Sequence, residues 1–397
     1  MVEYDPYMPE ITEDPYPVYK QLRDECPVYY VERFNAWALA LFEDIWVASE
    51  DREHYSTANA TSERGFLEGR PSSFESLASL DPPRHDELRV KVFPFFGPRA
   101  ARALEPQVRK WTVDCIERHE DLGRIDAVSE LAQQIAVRVS CHIGGFPVED
   151  ADYLVDVVMR YFLRDEGNEG LSEAGAAAQR EMWDYLEKLL IRREKSGVQS
   201  EDAAAVLLRE GDRWGEETRR RAAEHLTLFL VGATETFPKS FATGLLRLWE
   251  HPDQRRELAR NPGLIPKALH EIFRYDMPTQ WLGRTVIADH EIRGNKMRKG
   301  QPVMFLYPSG NRDDREFERP DTFDIHRNAP RHLTFGQGVH RCLGAFMASM
   351  EGKVLFEEVL ARFPDYEVLL DEAVKPATEF VQGYSRFPIA FSPKGGV

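Results

Sequence analysis

Hydrophobic positions along the chain recur mostly at helical spacing, with alternation confined to short runs. Over 216–249 the apolar residues Leu226, Phe229, Leu230, Phe237, Leu245 and Leu248 predict a single long helix. Over 106–208 the pattern is helix after helix, interrupted at Pro147, 167–170 and 196–199. Shorter helices are expected over 16–25, 43–50, 266–275 and 343–363. Strand composition is limited to 27–31, 36–42, 284–288, 297–307 and 379–391. The chain therefore reads as mainly α with a smaller β-rich part, an α+β fold. The stretch 57–80, rich in Ser, Gly and Glu, reads as a long loop of the kind that carries function.

Two places break these patterns. The middle of the long helix reads Val231-Gly232-Ala233-Thr234-Glu235-Thr236-Phe237-Pro238. Pro238 lacks a backbone donor and clashes with the carbonyl of Thr234, so the helix is expected to bend or open around Glu235 and Thr236. An acid and an alcohol in such an apolar run point to function rather than packing. The second place is Phe335-Gly336-Gln337-Gly338-Val339-His340-Arg341-Cys342-Leu343-Gly344, a glycine-bearing loop running into a helix. A cysteine at a helix mouth is favoured as a thiolate, a soft metal ligand. Taken alone the loop admits a buried structural thiol, a zinc site with His332, His340 and Cys342, or a haem ligand.

Composition narrows the class. The chain has 397 residues, 42% hydrophobic and 30% charged, with no linker or low-complexity block, so 1–397 is expected to be one domain. Lys and Arg number 51 against 67 Asp and Glu, a net charge of −16, which argues against nucleic acid and anionic membrane as partners. Cys26, Cys115, Cys141 and Cys342 follow no disulfide framework. The N-terminus lacks signal-peptide character, and no apolar run is long enough to span a membrane. A soluble, cytoplasmic protein is expected.

Several motifs then occur in one order. Asp81-Pro82-Pro83-Arg84-His85 with Arg89 comes first, and Gly232-Ala233 with Glu235-Thr236 follows. Glu271 and Arg274 come next, then Arg284, Asn311-Arg312-Asp313, and Arg327 at the end of 320–327. The loop from Phe335 to Gly344 closes the series. This arrangement resembles the cytochrome P450 family, in its soluble bacterial type, over essentially the whole chain. Ala233 stands where many members have a second glycine, and Pro238 is a further departure.

The resemblance implies a helical lobe with a smaller β-rich lobe and haem b between them. Cys342 becomes the axial thiolate, within a loop whose Phe335, Gly336 and Gly344 contact the cofactor. His85, Arg89, Arg284 and His340 become propionate partners. Glu235 and Thr236 become the proton-handling pair, and Glu271, Arg274 and Arg327 a scaffold. The implied activity is that of a monooxygenase acting on a small, largely apolar substrate with O2. Because 55 residues follow Cys342, electrons are expected from a separate ferredoxin- or flavodoxin-type donor and its NAD(P)H reductase. Arg99, Arg102, Arg109 and Arg341 form the expected docking patch, and a monomer is expected. The alternatives are a peroxide-dependent haem-thiolate enzyme and a non-catalytic haem protein. Substrate contacts are expected at Leu228, Gly232, Gln280, Leu282 and Tyr384, with Phe66, Phe74 and Leu77 apolar and Arg64 and Arg70 polar.

Overall fold

A helix of 33 residues, Thr218–Glu250, runs through the middle of the molecule and is buried on most of its circumference. The computed structural model describes residues 2–58, 64–70, 75–165, 169–197, 200–376 and 378–393. The helices that build the site are α1 (Arg84–Val92), α2 (Pro98–Glu117), α3 (Gln133–Gly144), α4 (Ala151–Tyr161), α5 (Glu173–Ser196), α6 (Thr218–Glu250), α7 (Ile265–Tyr275) and α8 (Ala345–Arg362). Helix α6 packs against α3, α4, α5 and α7, while α8 lies between α2 and α7. Every apolar position that predicted α6 is buried, including Leu226, Phe229, Leu230, Phe237, Leu245 and Leu248. No helix among the described residues is long and apolar enough to cross a membrane.

The β-rich part is smaller. Its strands are β1 (Val28–Val31), β2 (Ala36–Leu39), β3 (Tyr55–Ser56), β4 (Arg124–Asp126), β5 (Leu282–Val286), β6 (His290–Ile292), β7 (Asn295–Met297), β8 (Pro302–Phe305), β9 (Glu367–Val368) and β10 (Pro388–Ala390). The main sheet has the order β1-β2-β8-β5-β3, antiparallel except where β2 runs parallel to β8. Side chains alternate across a strand, and both faces of β2 are covered. Ala36 and Ala38 enter one apolar cluster with Met304 and Trp281, while Trp37 and Leu39 enter another with Val303 and Phe305. A three-stranded sheet β4-β10-β9 and the hairpin β6-β7 complete the β structure.

The mainly α architecture with a smaller β-rich part agrees with the sequence pattern, and three local expectations change. The stretch 297–307 is a strand pair broken by a turn, because Gly300 has a φ of +92° and Val286 is bonded by Gly300 and Gln301 from that turn. Over 379–391 only β10 is a strand, and Val381 contributes a single bridge to Thr279. The 57–80 stretch holds a short helix, Arg64–Leu67, and a 3-10 turn, Leu77–Ser79. Phe74 lies outside the described residues.

Candidate active site

The loop before α8 is shaped by backbone constraints. Gly336 and Gly338 have φ of +64° and +74°, and a Cβ at Gly338 would overlap the carbonyl oxygen of Ser49. Only glycine meets both demands at 338. The Cys342 N–H donates to the Phe335 carbonyl at 2.7 Å, closing the loop. The thiol points at the start of α8, where the N–H groups of Gly344 and Ala345 approach it. Burial pushes the Cys342 thiol up from its usual range, and those N–H groups, Arg89 and Arg341 pull against that shift. Protein encloses the thiol, yet it remains open to a small molecule, as expected of a group lining an interior space.

Basic side chains from three elements converge beside it. The rings of His85 and His340 lie 4.2 Å apart, and Arg89 donates to the Arg341 carbonyl at 2.6 Å. Arg284 on β5 is buried and donates to the Gly283 carbonyl at 2.7 Å. Burial, with Arg284, His85, Arg89 and Arg52 nearby, pushes His340 far below the usual histidine range. His85 is lowered by burial as well, and its Nε2 is buried without a partner. Among the described residues Arg89 and Arg284 form no ion pair. Arg89 and Arg284 are thus two cations without a carboxylate partner, beside an enclosed thiol. Together they fit a planar group that brings two carboxylates and an iron, as haem does.

Thr57 links this wall to the loop after β3. Its hydroxyl lies 3.3 Å from His340 Nε2. The Asp81 carboxylate accepts from the Ser56 hydroxyl and from the Thr57 N–H and hydroxyl at 2.9 and 3.1 Å. The Asp81 side chain thus ties β3 to the entrance of α1, whose cap residue is Pro83.

Behind the loop lies the expected scaffold. Arg274 donates to Glu271 twice, at 2.7 and 2.8 Å, and to the carbonyls of Asn311 and Pro320 at 2.7 and 3.0 Å. Arg327 and the Asp324 N–H also reach Glu271, at 3.1 and 3.0 Å. Asn311 carries the network forward by accepting from the Leu333 N–H at 2.7 Å. A zinc site is not assembled: His332 faces His270 at 3.2 Å, and no described group of three potential ligands is placed to hold a metal.

Helix α6 runs without a break from Thr218 to Glu250 with Pro238 inside it, so the chain does not leave the helix at Glu235 and Thr236, although Pro238 itself donates no helical bond. The Thr236 hydroxyl donates to the Gly232 carbonyl at 2.6 Å. Gly232 is exposed in mid-helix, with nothing near the position of a Cβ. Leu228, Gly232 and Thr236 are four residues apart and share one face. One apolar cluster joins Leu228 and Val231 of this helix to Phe335 and Leu343 of the loop. Glu235 is buried and ion-paired to Lys239, a residue not singled out from the sequence. The i, i+4 spacing was legible, but the burial was not. Burial raises the Glu235 carboxyl, and Lys239 and Arg164 oppose that rise.

Two expected wall residues have partners within the protein. Gln280 is buried, accepts from Tyr19 Oη at 3.1 Å and donates to the carbonyls of Met277 and Pro278. Its amide groups are thus engaged within the protein, where they anchor a turn. Tyr384 packs on Phe387, near Arg247 and Glu250 in the last turn of α6 and Asp276 after α7. Leu282 is half-buried against the cluster beneath β5. Phe66 and Leu77 are buried apolar residues, while Arg64 and Arg70 both pair with Glu68. Phe380 stacks on Phe162 with ring centroids 6.5 Å apart.

Known proteins share this architecture. The family model described as Cytochrome P450 matches residues 263–385. The chain is 31% identical over 391 residues to "Putative cytochrome P450 123" of Mycobacterium tuberculosis, covering 97% of this chain and 96% of that one. It is 34% identical to the 20-oxo-5-O-mycaminosyltylactone 23-monooxygenase of Streptomyces fradiae, covering 79% and 71%. The crystal structure of CalO2 superposes with a TM-score of 0.86 at 30% identity, covering all of both chains. With the thiol loop, the donor wall and the buried Glu–Arg scaffold in place, the chain belongs to the cytochrome P450 family of haem-thiolate monooxygenases.

Proposed function

We propose that this P450 oxidises a small, largely apolar organic molecule with O2, using haem b and electrons from a separate ferredoxin- or flavodoxin-type donor with its NAD(P)H reductase. The observation that carries the reading is the enclosed Cys342 thiol flanked by Arg89, together with the Thr236 hydroxyl beside exposed, unobstructed Gly232 in mid-helix. A haem bound between them supplies the iron at which dioxygen is split and one oxygen atom enters a C–H bond. Cys342 would hold the iron through its sulfur, which the N–H groups at the start of α8 keep in place. Arg89, Arg284, His85 and His340 neutralise the propionates.

Thr236 holds a donor proton at Oγ1 over the oxygen side, and turning it away from the Gly232 carbonyl aims that proton into the cavity. Leu228, Val231 and Phe335 keep water from the same space and favour an apolar ligand. Arg99, Arg102 and Arg341 are exposed and without ion pairs among the described residues, beside exposed Phe93 and Phe346; they suit an acidic electron donor. Arg109 is held by Glu357 and Glu358 and drops out of that patch.

Two measurements test the reading. The reduced carbon monoxide complex shows the red-shifted Soret band of thiolate ligation, and Cys342→Ala abolishes it. Thr236→Ala keeps that band but diverts NAD(P)H consumption from product to peroxide; unchanged coupling refutes the role of Thr236.

A further inference from the structure

Glu235 and Lys239 lie one turn apart on α6, with each side chain about 1% exposed. Lys239 Nζ binds Oε1 of Glu235, whereas Oε2 has no partner, and neither has the neighbouring Thr234 hydroxyl. Thr236 donates to Gly232, so the acid and the alcohol of this segment are not joined to each other. The lysine stem is confined by the C-terminal loop. Gly383, at a φ of +124°, sits so close that an added Cβ would lie 2.8 Å from Lys239 Cβ. The other charge acting on Glu235 is Arg164, from the segment after α4, and Arg164 is itself paired to Glu379 at 3.3 Å.

A lysine in a long helix ordinarily extends its ammonium to water. An enclosed one needs a counter-charge, and removing either partner leaves an uncompensated buried group. We propose that Lys239 is a positioning residue for the acid: it holds Glu235 as a carboxylate apart from Thr236, and opening of this ion pair gates the acid's access to the Thr236 hydroxyl. The inference rests on the monooxygenase reading above. Without Lys239 burial dominates, opposed only by Arg164, and Glu235 becomes a neutral acid free to turn.

The test uses haem-loaded enzyme carrying Lys239→Met, Lys239→Arg, Glu235→Gln and the double variant Glu235→Gln/Lys239→Met. Infrared difference spectra at neutral pH gain the C=O stretch of a carboxylic acid in Lys239→Met. Difference spectra of Lys239→Arg and of the double variant against wild type lack that band. The product yield per NAD(P)H, followed against pH, acquires a titration step in Lys239→Met that wild type lacks and that the double variant loses. Absence of the band from the Lys239→Met difference spectrum, or loss of such a band from wild type on Glu235→Gln, overturns the proposal. Should Lys239→Met fail to fold, thermal melting decides: Glu235→Gln melts below the double variant if its lysine is left uncompensated, and equal melting overturns the pairing. Unchanged coupling in Glu235→Gln overturns the reading of Glu235 on which the gating depends. Altered coupling there, without the infrared band in Lys239→Met, overturns the role of Lys239 alone.

Discussion

Replacing Arg274 by alanine removes the centre of the scaffold behind the Cys342 loop. The guanidinium makes four hydrogen bonds, two to Glu271 and two to the carbonyls of Asn311 and Pro320, and it is fully buried. Glu271 is left about 1% exposed, with only Arg327 and the Asp324 N–H as partners. Breaking a buried pair from one side costs roughly 3–5 kcal/mol. A domain's total stability is on the order of 5–15 kcal/mol, so the loss is a large share of it. The melting temperature falls by on the order of 5 °C or more. Because Asn311 passes the constraint to Leu333, the loop loses its register and haem loading falls. Arg274→Lys keeps the charge but not the fork, and lands between. The assay is thermal melting followed by circular dichroism, alongside the Soret absorbance per mole of protein. A variant melting within about 1 °C of wild type with full haem refutes the argument from uncompensated charge.

Three further outcomes follow from buried or confined groups. Gly338→Ala meets the Ser49 carbonyl and costs at least about 1–2 kcal/mol for the left-handed backbone alone; melting and haem content both fall, and an unchanged melt contradicts the close approach. His225 is buried, stacked on Trp214, and lowered by burial, with help from Arg84 and Arg221, to about 3. The unfolded chain therefore binds a proton that the folded one refuses between about pH 6.5 and 3, so stability falls with acid. His225→Phe removes about 2 kcal/mol of that loss at pH 5, read from urea unfolding at pH 5 and 7. Glu351 behaves in the opposite sense: burial pushes its carboxyl up to about 8, so the folded state keeps a proton that the unfolded one loses above about pH 4.5. Its contribution declines as pH rises toward 8, and Glu351→Gln flattens that slope in the same unfolding series.

What the sequence made legible was set by local constraint. The loop from Phe335 to Gly344 stood out because positive φ and a helix start demand particular residue types at particular positions. The long period of α6 was readable because 33 residues carry many apolar repeats. Strands of two or three residues, such as β3, β9 and β10, fall below the length at which alternation can be counted. Long-range placement was the other gap. Nothing near Gln280 announces that Tyr19 will claim its amide, 261 positions away. The expectation that α6 bends or opens at Pro238 fails as to opening, because a missing donor does not by itself stop a helix whose flanks are packed on both sides. Lys239 was visible as an i, i+4 neighbour of Glu235, but such pairs usually face water, and only the approach of Gly383 encloses this one.

The Asp81 clasp has an evolutionary consequence. By joining Ser56 and Thr57 to the entrance of α1, it fastens the two ends of the 57–80 excursion to each other. The ends stay where His340 needs Thr57, whatever happens between them. Lengthening a closed loop is cheap, about 0.6 kcal/mol for each doubling. Changes of length inside the clasp are therefore expected to be tolerated where they spare the buried residues Phe66, Leu67 and Leu77, the first of which packs on Gly283 beside Arg284. Descendants of this chain are free to explore new ligands by rewriting one excursion while inheriting the iron chemistry intact.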